Sequence, residues 1–257
     1  MRELGKRLAA IGEQLVDIDA ILITHEHSDH VAGLPVLARN SNLHAAIYMT
    51  RLTAPSIDWG PAPPARLETF QAGTGFLIGD IEVQSFTTPH DAVDSVGYAF
   101  TAEGVRIGVA TDMGAHGGEV PENVKYHLRR TDLLLLEANY DTETLRDGPY
   151  PWIVKQRIAG QRGHLSNDAM KNFVMNHMDA NTSDLVLGHI SENNNSRFQV
   201  ENAATEALSA RGLSMRLSNG LGHGLHVVEQ RQQPQVYYPV SRAGEPLTNS
   251  WTLATVG

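Results

Sequence analysis

The chain has 257 residues, 41% of them apolar and 19% charged, a formal net charge of −9 and no cysteine. That length suits one large domain or two small ones with a sizeable core, and the lack of cysteine excludes disulfides, thiolate metal sites and thiol nucleophiles. No apolar run approaches the roughly 20 residues of a membrane-spanning helix, and the acidic balance argues against a surface made for broad, non-specific binding to nucleic acid.

The opening residues, Met1 to Arg7, mix charges and lead into no long apolar stretch, so no secretory signal and a cytoplasmic location are expected. Leu4, Leu8, Ile11 and Leu15 recur at helical spacing and predict an amphipathic helix over 1–16. Asp17 to Asp19 break it, and Ala20 to Thr24 read as a short buried strand. A second helix is expected from Val31, with Leu34 and Leu37 on one face, to Asn40, and another strand over Ala45 to Met49. Prolines crowd residues 55–66, which predicts a surface loop. From Thr69 to Val109 strands alternate with glycine turns: Phe76 to Ile78, Ile81 to Phe86, Val96 to Thr101, Val105 to Ala110. Pro121 to Arg130 reads as helix. Asp132 to Glu137 is a continuous apolar run, a strand covered on both faces. Residues 140–180 are expected to be helical, most clearly Asn167 to Met178, followed by a buried strand over Asp184 to Gly188 and a helix over 197–210. Hairpins first and strand–helix alternation later predict an α/β sandwich of layers. The expected organisation is one domain over 1–228 and a polar tail, 229–257, with no assigned structure.

The chemistry concentrates behind Ile21-Leu22-Ile23, where His25, His27, Asp29 and His30 fall within six residues. Imidazole and carboxylate ligands suit zinc, iron or manganese. An i, i+2 pair on an extended loop can aim two rings at one ion while Asp29 and His30 turn toward another. Partners are offered at the ends of later expected strands: His90 after Phe86 to Pro89, Asp112 after Ile107 to Thr111, His189 after Leu185 to Gly188. Strand ends on one sheet edge converge, and loops there carry function. His164 lies in the polar turn Gly163-His164-Leu165-Ser166-Asn167, where Ser166 or Asn167 is also placed to cap the following helix. Arg157, Arg162 and Lys155 form a local basic group that could meet phosphate, or simply a solvated helix face. Asn193, Asn194 and Asn195 read first as a turn.

In order and spacing, His25-x-His27-x-Asp29-His30, Pro89-His90, Thr111-Asp112 and Gly188-His189 resemble the metallo-β-lactamase superfamily. The run Leu133 to Asp141, the Gly148-Pro149-Tyr150-Pro151-Trp152 segment and Gly163 to Asn167 look more specifically like its YycJ (WalJ)-like nuclease branch. The resemblance implies a four-layer αββα sandwich. It also implies two divalent ions, zinc first with manganese or iron as alternatives: one on His25, His27 and His90, the other on Asp29, His30 and His189, with Asp112 bridging. It further implies that His164, oriented by Glu137, protonates a leaving oxygen or binds the scissile phosphate, and that Asp29 belongs to the catalytic group. Members of the superfamily usually begin with further strands and an Asp-Ala-Gly-like turn, whereas this chain opens at the first helix. A sheet edge open for that reason is one a second copy could cover, so a homo-oligomer is an expectation too. The activity implied is phosphodiester cleavage, a DNA exonuclease using a metal-bridging hydroxide, with DNA as partner and no membrane. The net charge favours smaller substrates, so an acyl hydrolase of β-lactamase or lactonase type stands as the alternative, followed by an inactive metal-binding scaffold.

Overall fold

Short apolar blocks between turn formers become strands, and their position in the sheets decides how many faces each block must cover. The computed structural model describes residues 2–61, 64–213 and 224–228. In chain order these form α1 (Arg2–Ala10), β1 (Ala20–Leu22), α2 (Ser28–Val31), α3 (Leu34–Leu37), β2 (Ala46–Thr50), β3 (Leu67–Phe70) and β4 (Gly75–Ile78). There follow β5 (Ile81–Thr87), β6 (Val96–Ala102), β7 (Val105–Ala110), α4 (Glu122–His127), β8 (Leu133–Glu137), α5 (Thr142–Asp147) and α6 (Trp152–Ile158). The last elements are α7 (Asn167–Asn176), β9 (Asp184–Gly188), α8 (Arg197–Ala210) and β10 (Gly224–Val227).

β1, β2 and β3 pair in parallel in a small sheet, with Ala20 opposite Ala46 and Ile47 opposite Leu67. The larger sheet runs β10-β9-β8-β7-β6-β5-β4, an antiparallel meander from β4 to β7 joined to parallel strands from β7 to β10. Among the described residues, three apolar cores separate four layers. In β8, Leu133 and Leu135 point between the sheets, joining Tyr98, Ile107 and Val186 from the large sheet and Leu22, Tyr48 and Phe70 from the small one. Leu134 and Leu136 point outward onto α4, α7 and α8, against Val124, Phe173 and Val200. On the far side of the small sheet, Ile47 and Met49 pack with Leu34, Leu37 and Leu4. The run of four leucines thus has a core on each face, and each side chain fully buried there contributes about 1.5–3 kcal/mol.

Several expectations change. The first helix ends at Ala10, because Gly12 takes the left-handed conformation at φ +82°. Leu15–Asp17 form a separate 3-10 turn, with Asp17 accepting from the Gln14 amide. The helix expected over 31–40 begins inside the histidine stretch, at Ser28, and splits into α2 and α3. Residues 140–180 hold three helices instead of one long helical region. β10 was not anticipated: four residues suffice as a parallel edge strand on β9 but leave little periodicity to read. The tail over 229–257 lies outside the described residues.

Candidate metal centre

The chain leaving β1 is fixed by three bonds. The Ile23 amide donates to the Tyr48 carbonyl, the Val96 amide to the Thr24 carbonyl, and the buried Tyr98 hydroxyl to the Ile23 carbonyl at 2.5 Å. Burial without a charged partner pushes the Tyr98 pKa far up, so the hydroxyl stays a donor. From this anchored point His25 and His27 follow on extended chain, and α2 turns Asp29 and His30 toward the same place. His90, Asp112 and His189 lie just beyond β5, β7 and β9, and Glu137 is the last residue of β8. Asp112 and His189 both sit in the left-handed region, at φ 54° and 55°. Such backbone costs about 1–3 kcal/mol at a non-glycine residue and persists where the surroundings enforce it.

The seven side chains expected as ligands come together, with His164 and Glu137 beside them. Ligand-type atoms of His25, His27 and His90 lie within 4.8 Å of one another, as do those of His25, His30 and Asp112, and those of Asp29, His30 and His189. Asp112 is central, with Oδ2 3.4 Å from His30 Nε2, and Oδ1 3.3 Å from His189 Nε2 and 3.8 Å from His90 Nε2. Burial, with the neighbouring rings adding to it and Asp112 opposing it, pushes His25 down to about 3, so its ring is neutral and carries a free lone pair. Burial also lowers His90. It works the other way on Asp112, but the surrounding imidazoles, His30 first and then His189 and His25, outweigh it and hold that carboxyl far below the usual range. The His189 ring, with Nε2 3.9 Å from Asp29 Oδ2, does the same for Asp29.

Two of these atoms, His25 Nε2 and Asp112 Oδ2, are buried without a hydrogen-bond partner. A buried polar atom left in that state costs about 1–3 kcal/mol, which a cation in reach of both would remove. Lone pairs from neutral imidazole and ionised carboxylate, with no thiolate, are the donor set that zinc, manganese and iron accept. The residues fit divalent ions.

A further layer of contacts sets the rings. Thr24 Oγ1 lies 3.0 Å from His25 Nδ1, and His90 Nδ1 meets the Gly163 carbonyl at 2.9 Å. That carbonyl reaches His90 because residue 163 is glycine: a Cβ there would stand 2.1 Å from the Ile158 carbonyl oxygen. Glu137, fully buried, accepts four bonds. Oε1 takes His164 Nδ1 at 2.8 Å and His189 Nδ1 at 2.7 Å; Oε2 takes the amides of Met113 at 3.0 Å and Leu165 at 3.1 Å. Burial alone would raise its pKa, but the two imidazoles outweigh burial and keep the carboxyl ionised. Both rings therefore donate from Nδ1 and turn Nε2 toward the centre; the carboxylates around them outweigh burial and raise both pKa values, that of His189 strongly, so an ion binding at Nε2 would displace a proton there.

Of the basic group, Arg157 pairs with Asp91 and Arg162 donates to the carbonyls of His90 and Ala92, whereas Lys155 is tied to the Arg146 carbonyl. Ser166 caps α7, accepting from the Ala169 amide. The asparagines are structural: Asn195 bonds the Ala138 carbonyl and Asn167, Asn194 bonds Ser191, and Asn193 donates to the Tyr150 hydroxyl. Sequence reasoning missed Asp91, whose Oδ1 is 3.5 Å from His90 Nε2 and 3.9 Å from His27 Nε2. Its position next to His90 was the available signal. Thr24, Tyr98 and Glu26, which accepts from the Val93 amide, were missed as well.

Two sheets between helices, with imidazoles and carboxylates gathered at adjacent strand ends, define a hydrolase of the metallo-β-lactamase fold. Residues 1–190 match the family model described as "Beta-lactamase superfamily domain", and the chain belongs to that superfamily. Within it, the chain is similar to the exodeoxyribonuclease WalJ of Streptococcus pneumoniae serotype 2 (strain D39), 35% identical over 198 residues that cover 76% of this chain and 71% of that protein. It is also similar to the exodeoxyribonuclease YycJ of Bacillus anthracis, 30% identical over 240 residues, 91% of this chain and 87% of that one. Among solved structures, the metallo-β-lactamase fold protein YhfI from Bacillus subtilis superposes with a TM-score of 0.59 at 15% identity, covering 82% of this chain and 75% of that one. A diphosphatase of the PhnP family gives 0.53 at 17% identity, covering 82% and 68%. The fold implies divalent metal ions, in keeping with the donor set. No helix among the described residues is long and apolar enough to cross a membrane.

Proposed function

We propose that the protein hydrolyses phosphodiester bonds at DNA ends, as an exonuclease that uses two divalent ions, zinc first with manganese or iron as alternatives. His25, His27 and His90 would hold one ion, Asp29, His30 and His189 the other, with Asp112 between them. The observation that carries the reading is the convergence of these seven side chains around His25 Nε2 and Asp112 Oδ2, buried atoms without a partner. The nuclease names of the two relatives support the choice of substrate. When bound, such ions supply a water acidic enough to attack at neutral pH and neutralise charge on the phosphate. The protein's own part is to fix the tautomers: Glu137 holds the proton of His189 on Nδ1, Gly163 meets Nδ1 of His90, and Thr24 does so for His25. His164, held by the same Glu137 oxygen, would hold a proton for the departing oxygen.

The test is a side-by-side assay of the metal-loaded protein on end-labelled DNA, end-labelled RNA, bis-p-nitrophenyl phosphate and a cephalosporin. Degradation of DNA from its ends is expected, and His27→Ala should abolish it. Hydrolysis of the cephalosporin alone would overturn the reading in favour of an acyl hydrolase, the alternative that the net charge of −9 favours.

A further inference from the structure

Residues 148–167 contain Lys155, Arg157, Arg162 and not one aspartate or glutamate, in a chain with 29 acids against 20 lysines and arginines. α6 lies in this stretch and leaves an unusual face open: Trp152 is 69% exposed and Ile153 75% exposed, next to exposed Gln156 and Arg157. Scattered apolar residues on a surface need no explanation, but a tryptophan and an isoleucine side by side beside a reaction centre do. Helical spacing stacks Gln156 over Trp152 and Arg157 over Ile153. The far end of that face reaches the centre, because Arg157 pairs with Asp91 and the other Asp91 oxygen is 3.5 Å from His90 Nε2. Five helical steps lead from Trp152 to Arg157, a rise of about 7.5 Å and thus the length of about two stacked nucleotides.

We propose that this face of α6 receives the unpaired end of a DNA strand, one base stacking on Trp152 and a phosphate meeting Arg157 in exchange for Asp91. The proposal rests on the phosphodiesterase reading above and gives it a substrate class: a frayed or single-stranded end. A flat, exposed indole accepts any base by its face, and Arg157 offers a phosphate one cation on a helix that carries no acid of its own. A second copy is a poorer occupant, since a two-fold contact centred here would set Arg157 against Arg157.

The metal-free full chain is titrated with a short fluorescein-labelled single-stranded oligodeoxynucleotide, followed by anisotropy at several salt concentrations. Trp152→Ala is expected to weaken binding about five- to 150-fold, the range that the loss of one stacked base carries, and Trp152→Phe to recover most of it. Arg157→Gln should flatten the dependence of log K on log salt by about one. In the metal-loaded protein, the loss caused by Trp152→Ala should be at least fivefold greater on end-labelled DNA than on bis-p-nitrophenyl phosphate, which has no base to stack. Unchanged oligonucleotide binding by Trp152→Ala overturns the proposal, as does an equal loss on the two substrates. A wild-type dimer that Trp152→Ala splits in sedimentation, with oligonucleotide binding intact, also overturns it and makes the face a contact between copies. Wild-type protein that leaves DNA uncut would refute the phosphodiesterase reading instead, and the titration would still decide whether α6 binds a strand.

Discussion

Replacing Glu137 by glutamine keeps the size and shape of the side chain and removes only its charge and one acceptor. In the wild type, four donors converge on the carboxylate: His164 Nδ1, His189 Nδ1 and the amides of Met113 and Leu165. A glutamine oxygen can serve one pair of these. Its amide group then faces the other pair donor to donor. Two buried donors without acceptors cost about 1–3 kcal/mol each, so the substitution should cost about 2–6 kcal/mol if the rings keep their tautomers. At about 2–4 °C per kcal/mol for a domain of this size, Tm falls by at least about 4 °C. The histidines have one escape, which is to give up the proton on Nδ1, hold one on Nε2 and accept from the amide. That restores stability but leaves His189 without a lone pair on Nε2, and metal affinity should then fall about 10–100-fold. The two losses are alternatives, so they must be measured together, by calorimetric unfolding of the metal-free chain and by competition with a chelator of known affinity. Nitrogen-15 shifts of the imidazoles separate the two routes. A Glu137→Gln protein that matches the wild type in Tm and in metal affinity would show that this carboxylate sets neither tautomer and that other contacts orient the two rings.

Other perturbations test neighbouring parts of the structure. Tyr98→Phe leaves the Ile23 carbonyl without the hydroxyl that anchors the histidine loop to β6, and should cost about 1–3 kcal/mol in a thermal melt; an unchanged Tm would mean that water replaces the bond. His164→Ala should lower the turnover of a metal-loaded nuclease about 10²–10⁴-fold without changing metal content by elemental analysis, and retained DNA-end degradation would remove the residue from the reaction. Far from the centre, Lys125, Asn172 and His177 hold the exposed Glu119 carboxyl at about 2, below its ordinary 4.5. A depressed carboxyl contributes its stabilisation in full above the ordinary value and loses it as pH falls toward the lowered one. Glu119→Gln should therefore flatten the acid dependence of urea midpoints between pH 4.5 and 2, and a variant with the wild-type slope would count against the contact.

How much of this was legible in the sequence follows from how local each determinant is. The seven ligand-type residues were visible because the chemistry demands their side-chain types and because each stands just past a strand whose apolar block is readable on its own. The four leucines of β8 announced a strand with two covered faces, and the second core they fill is what makes the sandwich four layers deep. The boundaries that failed were those set by tertiary contact or by one backbone angle, as at Gly12, where a left-handed residue ends a helix that leucine periodicity alone would extend to 16. The residues around the ligands were the least legible part. Tyr98 acts 75 positions away from Ile23, and Gly163 acts 73 away from His90. Nothing in the composition of β6 marks one buried tyrosine as an anchor, and nothing marks Gly163 as the one place where backbone can lie against backbone and still offer its carbonyl to a histidine. Asp91 differs, since its carboxylate is adjacent in sequence to a recognised ligand and close to two of the rings. It escaped notice because a motif read as a fixed set of positions assigns no role to the residue beside them, although a charge next to a gathered set of imidazoles must be balanced by something, and here Arg157 does so.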